Sequence, residues 1–163
     1  TWIGHSTFLI QLNGVNILTD PVYAKQMAFT KRISEPGLSL SDLPSIDIIC
    51  ISHGHYDHLD FNTLRFFSKD TLMIVPSGLK QKFTFRGYKN VIEMNWWESN
   101  NYLGVRFSFV PAQHWTKRTL FDTNKSHWGG FIFQSNDECL YYVGDSAYFS
   151  GFKEIGIRFN RSI

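Results

Sequence analysis

The sequence predicts an α/β fold, and two observations carry that expectation. Between residues 46 and 94, apolar β-rich runs alternate with amphipathic stretches, the order strand, helix, strand, helix, strand of an α/β sheet. At 163 residues and 43% hydrophobic content, the chain has the length and composition of one domain, 1–163, with a sizeable core.

Residues 6–12 read as a strand and residues 15–19 as its return. Asn13-Gly14 between them is the hairpin dipeptide, because a type I′ turn needs φ > 0 at both central positions. Asp20-Pro21 closes the hairpin, since proline stops the hydrogen-bond ladder. His5 before it and Asp20 after it are expected in structural or hydrogen-bonding roles. Residues 22–45 form a long connection punctuated by Pro36-Gly37 and Pro44, with a short helix expected around 23–32. Residues 46–51 are a buried strand. Asp60 suits the N-cap of a helix over 61–68. A strand at 71–75 follows, then a helix near 78–86 ended by Gly87, then a strand at 90–94. Ser99-Asn100-Asn101 reads as a turn and 102–110 as a half-buried strand. Residues 116–127 are a polar loop. Trp128 to Phe133 and Cys139 to Val143 form a further strand pair, and an amphipathic helix spans about 149–159.

Net charge is +2, too balanced for a nucleic-acid partner or an anionic surface. Cys50 and Cys139 are far apart, so no disulfide framework follows. No apolar run approaches the roughly 20 residues of a membrane span. Aromatics make up 17% of the chain. Most are expected in the core, and some, with Trp96, Trp97 and Trp115 as candidates, along an apolar substrate groove. Both ends read as cut, the chain beginning Thr1-Trp2 without Met.

His53, His55, Asp57 and His58 lie within six positions, immediately after the strand at 46–51. Open α/β sheets bind ligands at such carboxyl ends. His114 and Asp145 stand at the ends of two further predicted strands. Imidazole with carboxylate suits zinc and related divalent ions. His53 and His55, two apart in an extended loop, share a face. Asp57 and His58 can face a second ion, with Asp145 bridging. Two ions roughly 3.5–4 Å apart acidify a shared water and clamp the attacked centre.

His53-Gly54-His55-Tyr56-Asp57-His58 resembles the His-x-His-x-Asp-His motif of the metallo-β-lactamase superfamily. Thr1-Trp2-Ile3-Gly4-His5-Ser6-Thr7, Leu18-Thr19-Asp20-Pro21, Asn95-Trp96-Trp97-Glu98, Pro111-Ala112-Gln113-His114-Trp115, Lys117-Arg118-Thr119-Leu120 and Gly144-Asp145 extend the resemblance. They are similar to the family of N-acyl-phosphatidylethanolamine-hydrolysing phospholipases D and its bacterial relatives. The resemblance implies an αββα sandwich, incomplete at the C-terminus, and two zinc ions. His53, His55 and His114 would hold one ion, Asp57 and His58 the other, and Asp145 would bridge. Asp57 and Asp145 would serve catalysis as well as ligation, and Trp115 and Gln113 would touch substrate. The family has one more ligand histidine well beyond the bridging Asp. No residue here matches it, and His127 does not correspond, so the second site would lack a ligand. The implied reaction is hydrolysis of a phosphodiester by a metal-bridging hydroxide, with N-acyl phosphatidylethanolamine as substrate. The alternatives are a lactonase, a soluble phosphodiesterase, or an inactive fragment. The implied partner is a phospholipid or other ester, with peripheral membrane contact, no nucleic acid, and a cytoplasmic or membrane-peripheral location. Oligomeric state is left open.

Overall fold

The computed structural model describes residues 1–27, 30–136 and 138–159. Two β-sheets lie face to face between helices. The first sheet contains β1 (Trp2–Gly4), β2 (Thr7–Leu12), β3 (Val15–Thr19), β6 (Ile48–Cys50), β7 (Leu72–Pro76) and β8 (Val91–Met94), side by side in that order. β1 to β3 are antiparallel, and β3, β6, β7 and β8 are parallel to one another. The second sheet is antiparallel throughout: β9 (Ser99–Tyr102), β10 (Val105–Pro111), β11 (Gly129–Ser135) and β12 (Glu138–Tyr142). The helices are α1 (Phe61–Leu64), α2 (Lys80–Thr84) and α3 (Gly151–Phe159).

The period of two along each strand divides the core. Ile17, Ile48, Cys50 and Ile74 point to the second sheet and meet Phe107, Phe109, Phe131 and Phe133. Their neighbours Leu18, Ile49, Met73 and Val75 point the other way and pack with Leu64 of α1 and Phe83 of α2. On the far side of the second sheet, Val110 and Ile132 pack on Ile155 of α3. Each fully buried Phe contributes about 1.5–3 kcal/mol, so the aromatic content serves this inter-sheet layer first. The layers are helix, sheet, sheet, helix, as expected.

Turn chemistry accounts for the first hairpin. Asn13 (φ 50°) and Gly14 (φ 75°) are both left-handed, and Leu12 pairs with Val15 across them. Asp60 caps α1, its carboxylate accepting from the backbone of Asn62 and Thr63.

Three expectations change. The helix around 23–32 is instead a pair of two-residue strands, β4 (Gln26–Met27) and β5 (Thr30–Lys31), joined through residues outside the described set. Ser99-Asn100-Asn101 is no turn but edge strand β9, because β10 offers it partners. The turn lies at Leu103 (φ 51°) and Gly104 (φ 79°), which splits the expected 102–110 strand. The helices are also shorter than expected. α1 stops at Leu64 and α2 covers only 80–84, each continuing as loose turns.

Candidate metal centre

The site lies at one end of the sandwich, where β3, β6, β10 and β12 all terminate. Asp20 follows β3, His53 follows β6, His114 follows β10 and Asp145 follows β12. Two close approaches bring the ends together. A Cβ on Gly144 (φ 66°) would meet Ser52 Cβ at 2.9 Å and Gly129 O at 2.8 Å. Glycine there lets the β12 end reach the metal-type loop. Gly54 is equally confined, with Thr116 Oγ1 2.8 Å from where its Cβ would stand.

All six predicted ligands converge. His53 Nε2 is 2.9 Å from His55 Nδ1, which is 3.2 Å from His114 Nε2. Asp57 Oδ2 is 3.9 Å from His58 Nε2. Asp145 stands between the groups, Oδ1 at 3.2 Å from His58 Nε2 and Oδ2 at 3.8 Å from His114 Nε2. His5 lies beside the second group, its Nε2 at 3.2 Å from Asp57 Oδ2.

Buried partners behind the imidazoles fix their tautomers. The Ser52 hydroxyl donates to Asp20 Oδ2, so it accepts from His53 Nδ1–H at 2.9 Å. His58 Nδ1–H donates to Asp20 Oδ2 at 2.7 Å. Both assignments turn Nε2 toward the site. Asp20 also accepts from the Ser52 backbone N–H and from the Tyr142 hydroxyl. It is fully buried and holds the site from behind.

Arg118 clamps the loop from outside. One of its guanidinium nitrogens donates to Gly54 O and Leu59 O, each at 2.8 Å, and to His55 O at 3.2 Å. Thr116 Oγ1 accepts from Gly54 N–H. Sequence reasoning gave Ser52, Tyr142, Thr116 and Arg118 no role. Only Arg118 carried a signal, as part of the quoted Lys117-Arg118 pair.

Electrostatics matches this packing. Burial and the neighbouring imidazoles push His53 down to about 2, so it stays neutral. Burial also opposes charge on His58, but the carboxylates of Asp145 and Asp20 outweigh it and pull that group up to about 10. Asp145 is held below the usual carboxylate range, chiefly by His58.

The donor set fits a divalent cation. Three ring nitrogens face one another in the first group, at 2.9 and 3.2 Å, as the ligands of one shared cation would. In the second, His58 Nε2 is buried without a hydrogen-bond partner: Asp145 is near, but off the line such a bond needs.

Trp115 lies beside the site, half exposed, its ring 4.6 Å from that of His55. Gln113 is exposed, and its backbone bridges to Ala147. Trp96 stacks on His127 and bonds Trp128 O, and Trp97 packs under Arg158. No helix among the described residues is long and apolar enough to cross a membrane.

Comparison with known proteins identifies the family. The chain is 39% identical over 160 residues to the mitochondrial N-acyl-phosphatidylethanolamine-hydrolysing phospholipase D of Saccharomyces cerevisiae, covering 91% of this chain and 34% of that protein. It is 36% identical over 174 residues to N-acyl-phosphatidylethanolamine-hydrolysing phospholipase D 1 of Caenorhabditis elegans, covering 96% and 49%. The chain thus spans between a third and a half of those relatives. Among solved structures, a "possible metal-dependent hydrolase" of Veillonella parvula superposes with a TM-score of 0.83 at 22% identity, over 98% of this chain and 67% of that one. The isothiocyanate hydrolase from Delia radicum gut bacteria superposes at 0.77 and 21%, with the same coverage. At such identities these two speak for the fold alone. A family model described as a β-lactamase superfamily domain matches residues 15–162, and the chain belongs to the metallo-β-lactamase superfamily.

Proposed function

We propose that this chain carries the metal centre of a hydrolase that cleaves a phosphodiester, with zinc as the metal and N-acyl phosphatidylethanolamine as the substrate, cut in the manner of a phospholipase D. The observation that carries the two-ion reading is Asp145, within 3.8 Å of both the His114 nitrogen and the His58 nitrogen. His53, His55 and His114 would hold one ion, Asp57 and His58 the other, and Asp145 would reach both. When bound, such ions acidify water and neutralise charge building on phosphoryl oxygens. The chain's own residues prepare the site. Asp20 keeps the His58 proton on Nδ1, and Ser52 does the same for His53. Arg118 and Thr116 hold the loop backbone so that its donors converge before substrate arrives.

The lipid part of the reading rests on the two phospholipase relatives and on the rim of the site. The loop after His114 presents Trp115, Leu120 and Phe121 to solvent, the last two more than 80% exposed. Tyr56, also exposed, is tied to that loop by its bond to Arg118 O. An apolar rim beside a polar centre suits acyl chains and a membrane surface. Gln113 and Trp115 would touch the substrate. The test is to supply zinc and assay liposomal N-acyl phosphatidylethanolamine, simple lactones and bis-aryl phosphates in parallel. Release of phosphatidic acid from the liposomes is expected. Lactone turnover without lipid turnover overturns the lipid assignment.

A further inference from the structure

We propose that the cavity beside the metal-type loop, between Gly54 and Gly78, is a binding site for a phosphomonoester dianion, separate from the metal centre. Binding there does not depend on which bond the centre cleaves.

The cavity holds about 160 Å³. Pockets for whole drug-sized ligands start near about 300 Å³, so one small group fits here and a nucleotide does not. Four cations line it, Lys82, Lys117, Arg118 and Lys125, against one carboxylate, Asp122. That carboxylate is already engaged. It accepts from the backbone N–H groups of Arg118 and Thr119 and pairs with Lys82 at 3.4 Å. No carboxylate among the described residues pairs with Lys117 or Lys125. Arg118 spends a single nitrogen, Nη1, on its three carbonyl partners, leaving the rest of its fork for another acceptor. Ser126 is an independent sign of a ligand. It is 9% exposed, and its hydroxyl has no hydrogen-bond partner among the described residues. Its Oγ lies 3.7 Å from where a Cβ on Gly54 would stand, so it faces the same space. A buried hydroxyl left unmet costs free energy. Gly78 (φ 93°) lets the backbone of Lys125 and Ser126 close over the cavity, since Lys125 O lies 2.5 Å from where its Cβ would stand. With four positive charges against one negative, the wall complements a phosphomonoester, which carries about two negative charges and three strong acceptor oxygens. A carboxylate or a phosphodiester brings only one charge. The whole-chain balance of +2 conceals this patch. Two sources present the required chemistry. One is free inorganic phosphate, and the other is the headgroup of phosphatidic acid, which the proposed reaction would release.

Amide spectra of the zinc-loaded, isotope-labelled chain separate this cavity from the metal centre, which itself attracts phosphate. Inorganic phosphate and dihexanoyl phosphatidic acid, kept below the concentration at which it forms micelles, are titrated in turn. The pH is about 8, well above the second phosphate pKa of about 6. Saturable shifts are expected at Gly78, Lys125 and Ser126. The probe that saturates them at the lower concentration identifies the source. No shift at these amides with either probe, whatever happens in the 53–58 loop, overturns the proposal. The double variant Lys117→Gln, Lys125→Gln removes cations that hold no ion pair, so fold and zinc content should stay intact. Affinity for the better probe should fall at least about 10-fold, the scale of one hydrogen bond to a charged group. A smaller loss overturns the assignment. So does dimethyl phosphate, a monoanionic diester, if it binds as tightly as inorganic phosphate. Neither measurement reads hydrolysis, so failure of the phospholipase assay and failure of this site are told apart.

Discussion

His53, His55 and His114 reach the centre from the ends of β6 and β10, under the Arg118 clamp, whereas Asp57 reaches it from an exposed loop position. His53 is 1% exposed, while the Asp57 side chain is 42% exposed. Only His58 anchors the second group in the interior. The first group is therefore set before any ion arrives. The second has one fixed donor and an Asp57 side chain that must lose rotamer freedom to bind. The first ion should bind tightly and the second should exchange. The largest expected effect tests this asymmetry. His53→Ala should abolish the first site and lower hydrolysis at least ~10²-fold, since ion stabilisation of developing charge is worth several kcal/mol. Metal analysis should find the first equivalent lost. Asp57→Ala should instead leave one tight equivalent in place.

Asp20 lies behind both groups, and it can break the comparison. It holds His58 directly and His53 through Ser52. Asp20→Asn should weaken both ions, by about 10–100-fold each. It should also cost about 1–3 kcal/mol of stability, because Ser52 and Tyr142 lose a charged acceptor in the interior. Ser52→Ala should affect the first ion more than the second. Chelator competition on the two variants resolves this; equal effects from Ser52→Ala would show that the sets are not independently supported.

Arg118 sharpens the difference from the outside. Its three carbonyl partners, Gly54, His55 and Leu59, bracket the loop. Arg118→Met should cost about 1–3 kcal/mol in chemical denaturation and weaken the first ion, because His55 sits between two of the capped carbonyls. Lys at this position should restore little, since an ammonium lacks the planar fork.

Much of this was legible in the sequence because it is local. Asn13-Gly14 states its own turn, and four metal-capable side chains in six positions suggest a metal-type loop. The buried strands followed from runs that are apolar on both faces, as in Ile48 to Ile51, whereas the helix, sheet, sheet, helix layering came from the family resemblance. What stayed hidden depends on distant chain. Ser99 to Asn101 became a strand only because β10 pairs with them. Leu103 carries a φ that leucine seldom adopts, so its turn gave no signal. The Tyr142–Asp20 bond spans 122 positions. Nothing near Tyr142 marks it as part of the centre.

That bond also supplies the smallest expected effect, one confined to alkaline pH. Burial and the adjacent Asp20 carboxylate raise Tyr142 well above the ordinary phenol value. The unfolded chain ionises near pH 10. Above that pH the unfolded state holds fewer protons than the folded one, so stability falls as pH rises. The slope from this one group is at most about 1.4 kcal/mol per pH unit, and the contribution is fully present below pH 10. Tyr141, pushed up to about 12 by burial, acts in the same direction. Tyr142→Phe should lose about 1 kcal/mol at neutral pH with its hydrogen bond to Asp20, yet show a shallower decline between pH 10 and 11. Urea unfolding in the presence of chelator, which keeps metal release out of the measurement, reads both. A slope unchanged by Tyr142→Phe would mean that this hydroxyl does not face Asp20 in the folded chain. Asp20 would then hold the two metal groups without support from the second sheet.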